Sequence, residues 1–159
     1  MISEKLQSAI NGQISAEMWS ANLYLSMSFY FDKEGLPGFA HWMRKQYFEE
    51  MQHACELANY VIKRGGTPKL DKVAEVPFCW ESPLAAFEEV YKHECHVSKL
   101  IDQLVDVASA DKDKASQDFL WTFVREQVEE ESTVQGIIDK MKRGGEAGLL
   151  IVDSQLAQR

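Results

Sequence analysis

Residues that break helices are scarce in this chain, and where they occur they cluster. From Ser3 to about Lys33 the only one is Gly12, and KEGLPG then makes a turn. A second uninterrupted run goes from about Phe39 to Arg64 and is closed by the glycines of RGG. SPLAAFEE opens a third, with Ser82 as N-cap and Pro83 in the first helical position, and it reaches about Ala110. After the polar turn DKDKAS a fourth runs from about Ser116 to Lys142, where a second RGG is expected to stop it. The tail EAGLLIVDSQLAQ predicts a short fifth helix, about 146–157.

Runs of about 26 to 30 residues are each about 40 Å long at 1.5 Å per residue. Short turns make antiparallel hairpins of the first and second runs and of the third and fourth. The loop from about Thr67 to Glu81 carries Pro68 and Pro77. Its roughly 15 residues can span about 50 Å when extended, enough to cross the bundle. The predicted fold is all-α: a four-helix bundle over about 3–142, with a long crossover between the second and third helices and the short fifth helix behind it. A length of 159 residues suits one domain, 1–159, with a real core.

The inward stripe of each run, followed in steps of three and four, is apolar except near its midpoint. Glu17 interrupts the first stripe, Glu50 and His53 the second, Glu94 the third, and Gln127 and Glu130 the fourth. Midpoints of antiparallel helices meet at one height, so these six residues are expected to converge. One buried polar residue per helix is ordinary and is satisfied by a hydrogen bond. Four carboxylates at one level differ, because each costs several kcal/mol to bury ionised and unpaired. The stripes offer no lysine or arginine there. Two divalent cations balance four carboxylates in formal charge. Carboxylates with one imidazole and no thiolate suit iron or manganese rather than structural zinc. Glu50 is placed to bridge two ions, and iron pairs held in this way can reduce dioxygen.

Composition narrows the partners. A net charge of −8 and a pI near 5.0 speak against nucleic acid and make cations natural ligands. No apolar run is long enough for a bilayer, and MISEKLQSAI does not read as a secretory leader, so a cytoplasmic protein is expected. Cys55, Cys79 and Cys95 are odd in number and in no metal-binding spacing, which fits free thiols.

The pattern Glu17, Glu50-Met51-Gln52-His53, Glu94 and Gln127-x-x-Glu130 resembles the bacterial non-haem ferritins over essentially the whole chain. The general ferritin-like di-iron layout has a second Glu-x-x-His. This chain has Gln127 and Glu130 instead, as true ferritins do and bacterioferritins do not. The resemblance implies a homo-oligomeric shell of 24 subunits that oxidises ferrous iron with dioxygen or hydrogen peroxide at an intra-subunit di-iron centre. It also implies storage of ferric mineral inside. Carried over by residue, Glu17, Glu50 and His53 bind the first iron, and Glu50, Glu94 and Glu130 the second, with Gln127 hydrogen-bonding nearby. Tyr24, seven residues after Glu17, matches the family's tyrosine beside the centre; as a plain core residue it needs only a partner for its hydroxyl. Glu49, Glu126 and Glu129, with Glu130 shared, match a third iron position. Without the resemblance, the acidic run 129–131 reads as a solvated face. Met51 falls where bacterioferritins place a haem ligand, but it lies about 100° off the metal stripe, and haem is not expected. The rival readings are a stand-alone di-iron oxidase or peroxidase and a metal-free helical interaction protein. The apolar tail residues Leu149, Leu150, Val152 and Leu156 suggest burial against partner subunits.

Overall fold

The computed structural model describes residues 1–159. It contains four helices and no strand: α1 (Glu4–Lys33), α2 (Pro37–Lys63), α3 (Pro83–Ala110) and α4 (Lys114–Leu156). The starts follow the capping chemistry. Ser3 Oγ accepts from Leu6 N at 3.0 Å, Ser82 Oγ from Ala85 N at 3.0 Å, and Asp113 Oδ1 from Ser116 N at 3.1 Å. Gly65, at φ 79°, follows the end of α2 in a conformation that only glycine adopts without strain.

α1 pairs with α2 and α3 with α4, with lesser contacts between α1 and α3 and between α2 and α4. Residues 64–82 form neither helix nor strand. Their carbonyls are tied to α1 at successive heights: Asn11 Nδ2 donates to Thr67 O at 3.3 Å, Trp19 Nε1 to Glu75 O at 3.2 Å, and Ser26 Oγ to Pro77 O at 2.6 Å. None of the helices is long and apolar enough to cross a membrane.

Helical geometry is interrupted within the second RGG: Gly145 sits at φ 55°, ψ −150°, and two helical segments of α4 meet there at a kink, the second running on to Leu156. The kinked tail lies against the start of α2. There Leu36 provides no side-chain cap, and Asp153 Oδ1 instead accepts from Phe39 N at 2.9 Å. A Cβ on Gly38 would fall 1.7 Å from the Asp153 carbonyl oxygen, so this contact requires glycine. Three of the four apolar tail residues are covered by their own chain. Val152 belongs to the core, with Leu149 and Leu156 packed on it, while Leu150 is exposed. Leu149 and Leu156 are only half-buried, and Leu150 and its neighbour Ile151 stay exposed.

The apolar interior forms two separate clusters. One includes Tyr24, Phe31, Phe39, Trp42, Phe87 and Ile138; the other includes Leu6, Ile10, Leu57, Ile101, Leu120 and Phe123. The break between them falls at the same level on all four helices, between Ile14 and Leu23, Met43 and Ala54, Val90 and Val97, and Phe123 and Val134. Each gap in the apolar stripe holds the polar residues singled out by spacing.

Candidate metal centre

Glu17 enters the gap from α1, fully buried. Gln13, one turn earlier on the same face, donates from Nε2 to Glu17 Oε1 at 2.8 Å. Glu17 Oε2 is buried without any hydrogen-bond partner. From α2, Glu50 and His53 face it, three residues apart, with His53 Nδ1 3.2 Å from Glu50 Oε2. Ligand atoms of Glu17, Glu50 and His53 all lie within 4.8 Å of one another.

Glu94, on α3, accepts from the Tyr24 hydroxyl and from Gln127 Nε2, the latter at 3.0 Å. Gln127 therefore acts from α4 on Glu94. Glu130, one turn further along α4, is half-buried and accepts from Gln46 Nε2 at 3.0 Å. None of the four glutamates forms an ion pair with lysine or arginine.

Their electrostatics follow from that. Burial raises Glu17 well above the usual carboxylate range, and the charge of Glu50 adds to it. Burial does the same to Glu50, followed by the charge of Glu94. Glu94 is raised by burial, although the hydrogen bonds from Tyr24 and Gln127 pull it back. Glu130 is pushed up to about 7 by burial and by the charges of Glu94 and Glu49. Tyr24 is held protonated by burial and by Glu94 and Glu50. Without metal, the centre therefore retains protons that cations would displace. The orphaned Glu17 oxygen, the excess of carboxylates and the single imidazole fit hard-to-borderline divalent cations. A cation held on the Glu50 side would be met by His53 through Nδ1, the ring nitrogen that faces Glu50. That leaves Nε2–H to donate to Glu126 Oε2, 3.1 Å away, the usual orientation of a ligating histidine by a carboxylate.

Glu49, Glu126 and Glu129 are exposed and are not gathered at one point. Glu126 is drawn to His53, and Glu49 accepts from Arg159 Nη2 at 2.7 Å. Glu129 lines a cavity of about 680 Å³ together with Gln46, Glu130 and Arg159. The remaining histidines lie outside the centre. His93 is 2.7 Å from Ser20 Oγ and packs on Trp19, His41 contacts the Arg159 carbonyl, and His96 is exposed. Sequence spacing gives no role to Gln13, Gln46 or Arg159. Gln13 and Gln46 each sit four residues before a centre glutamate on the same face, which is a readable signal; Arg159 has none.

The ferritin-like domain family matches residues 7–144. The chain is 69% identical, over all of both proteins, to a bacterial non-heme ferritin of Bacteroides fragilis. It is 36% identical to one of Campylobacter jejuni, across 93% of this chain and 89% of that one. Among solved structures, an open-pore ferritin from the hyperthermophilic archaeon Archaeoglobus fulgidus superposes with a TM-score of 0.97 at 50% identity, covering 100% of this chain and 99% of that one. This four-helix chain with a carboxylate-lined waist belongs to the ferritin family, among its bacterial non-heme ferritins.

Proposed function

We propose that this protein, working as one ferritin-like domain, oxidises ferrous iron and stores it as ferric oxyhydroxide in a cytoplasmic shell of 24 identical subunits. The observation that carries the reading is the gap in the core, which holds Glu17, Glu50 and Glu94 buried and Glu130 half-buried, none of them paired with lysine or arginine, and leaves one oxygen of Glu17 without a partner. Iron is the substrate. Glu17, Glu50 and His53 receive one ferrous ion and Glu50, Glu94 and Glu130 a second, with Glu50 shared. Gln13, Gln46 and Gln127 hold the carboxylates in place through the hydrogen bonds described above. Each ferrous ion gives up one electron. Dioxygen takes the two electrons and two protons to leave hydrogen peroxide; when peroxide is the oxidant, two electrons and two protons leave two waters. Tyr24, hydrogen-bonded to Glu94, stands beside this chemistry as a candidate electron donor. Glu49, Glu126, Glu129 and Glu130, which lie apart in the metal-free chain, would draw together on a third ion, a waypoint between the pair and the interior of the shell.

Native mass, measured together with metal content after aerobic iron loading, tests the proposal. The expected result is an assembly of 24 subunits carrying many more ferric ions than the three positions per subunit hold. A folded monomer or dimer that consumes oxygen but retains only a few irons would overturn storage and favour a stand-alone di-iron oxidase.

A further inference from the structure

Arg159 is held by four contacts. Its Nη2 donates to Glu49 Oε2 at 2.7 Å, and its Nη1 to the Trp42 carbonyl at 3.4 Å. The guanidinium carbon lies 4.9 Å from the centre of the Trp42 ring, and the Arg159 carbonyl is 3.0 Å from His41 Nε2. Most of the side chain is covered, with 28% of it exposed. It lines the same cavity as Glu129, Glu130 and Gln46. Gln46 is fully buried, and while its Nε2 serves Glu130 its Oε1 has no partner. One organic cation thus occupies a side of the centre where the carboxylates Glu129 and Glu130 face an open cavity.

We propose that Arg159 is a resident competitor for the third cation position, and that its guanidinium must leave Glu49 before a metal ion can bind there. The proposal rests on the third position described above. The two inner positions have no such competitor, because no lysine or arginine touches Glu17, Glu50 or Glu94. The competition therefore orders filling: the inner pair takes iron first, and the third position fills only as rising cation concentration displaces the arginine. A guanidinium suits this role. It never loses its charge, and stacking on Trp42 gives it a defined resting place next to the position it guards.

The test is an anaerobic calorimetric titration of the assembled protein with zinc(II), a redox-inert probe, comparing the parent with Arg159→Gln and Arg159→Lys. The parent is expected to bind two ions tightly and a third weakly. In Arg159→Gln the third ion should bind about fivefold more tightly, the scale of one exposed ion pair and its aromatic stacking, while the first two bind as in the parent. Arg159→Lys, which keeps the charge but loses the planar fork, should fall between them, and the differences should shrink in high salt. A third ion of equal affinity in the parent and Arg159→Gln overturns the competition and leaves the third position standing. Absence of a third ion from every variant overturns both. A lower melting temperature in Arg159→Gln with unchanged third-ion affinity reduces Arg159 to an anchor of the tail and likewise overturns the proposal.

Discussion

Where α2 ends and α4 begins, Arg64 meets Asp113 through two nitrogens, at 2.9 and 3.1 Å, and also donates to Ser116 and to the Tyr60 hydroxyl. At the middle of the bundle, Glu17, Glu50, Glu94 and Glu130 meet with amides, a tyrosine and one imidazole for company. Both clusters remove polar groups from water, but their charges are balanced differently. Burial pushes Asp113 upward, yet the hydrogen bonds from Arg64 and Ser116 outweigh it and hold the carboxyl below its ordinary value. At the waist the one nearby guanidinium, Arg159, acts only on Glu130 and from a distance, and burial wins at all four glutamates. The end cluster is complete within the chain and serves stability. The waist is complete only with protons or with cations from outside, the condition of a cation-binding site.

The comparison is broken most forcefully by Glu50→Gln. The amide keeps the shape but removes the carboxylate that faces both Glu17 and Glu94, so fast ferrous oxidation should fall about 100-fold or more. Metal-free stability should hold or rise, because one buried acid among like charges has gone. Stopped-flow oxidation and thermal melts read the two effects, and undiminished first-turnover oxidation would remove Glu50 from the centre.

Arg64→Ala should do the reverse. Leaving Asp113 without its partner should destabilise the fold by roughly 2–3 kcal/mol. Iron oxidation should be little changed, since the cluster lies at the far end of α2. Denaturant melts check this, and a loss below about 0.5 kcal/mol would place the cluster among ordinary surface pairs.

A smaller effect comes from pH. Glu130 is raised from 4.5 to about 7, so the folded chain binds a proton there that the unfolded chain has already released. The associated stability is full below about pH 4.5 and is lost as pH rises through 7. His93 acts in the opposite sense. Burial, followed by the charge of His96, lowers it from 6.5 to about 4, so its contribution is full above 6.5 and is lost as pH falls through 4. Between pH 6.5 and 8 the carboxylates dominate. Metal-free stability should fall there by about 1 kcal/mol from Glu130 alone, and bound divalent metal should abolish the fall. A metal-free melting temperature that rises over this range would contradict the raised carboxylates.

Much of the centre was legible because helix periodicity is local. Glu17, Glu50, His53, Glu94, Gln127 and Glu130 each interrupt an apolar stripe, and four stripes interrupted at their midpoints can register only at one height. The same rule located the helices, since their starts and first stops depend on residues within one turn. The segment beyond the second RGG shows where the rule stops. Gly145 breaks helical geometry where the glycines permit it, but Asp153 of the following segment caps α2 in place of a side chain at Leu36, a contact no local window contains. DKDKAS likewise reads as a solvated turn, yet Asp113 within it is the partner of Arg64.

The sequence by itself determined four long helices, a polar waist and the chemistry of its ligands. It did not determine how that waist is supplied with partners: Gln46 for Glu130, Glu126 for His53, and Arg159 for Glu49. Those pairs join residues on different elements, Glu49 and Arg159 being 110 positions apart. Side-chain spacing encodes which face a residue occupies, because that follows from the pitch of its own helix. Which charge meets it across the bundle depends on how the helices and the tail pack, and only the tertiary structure decides that.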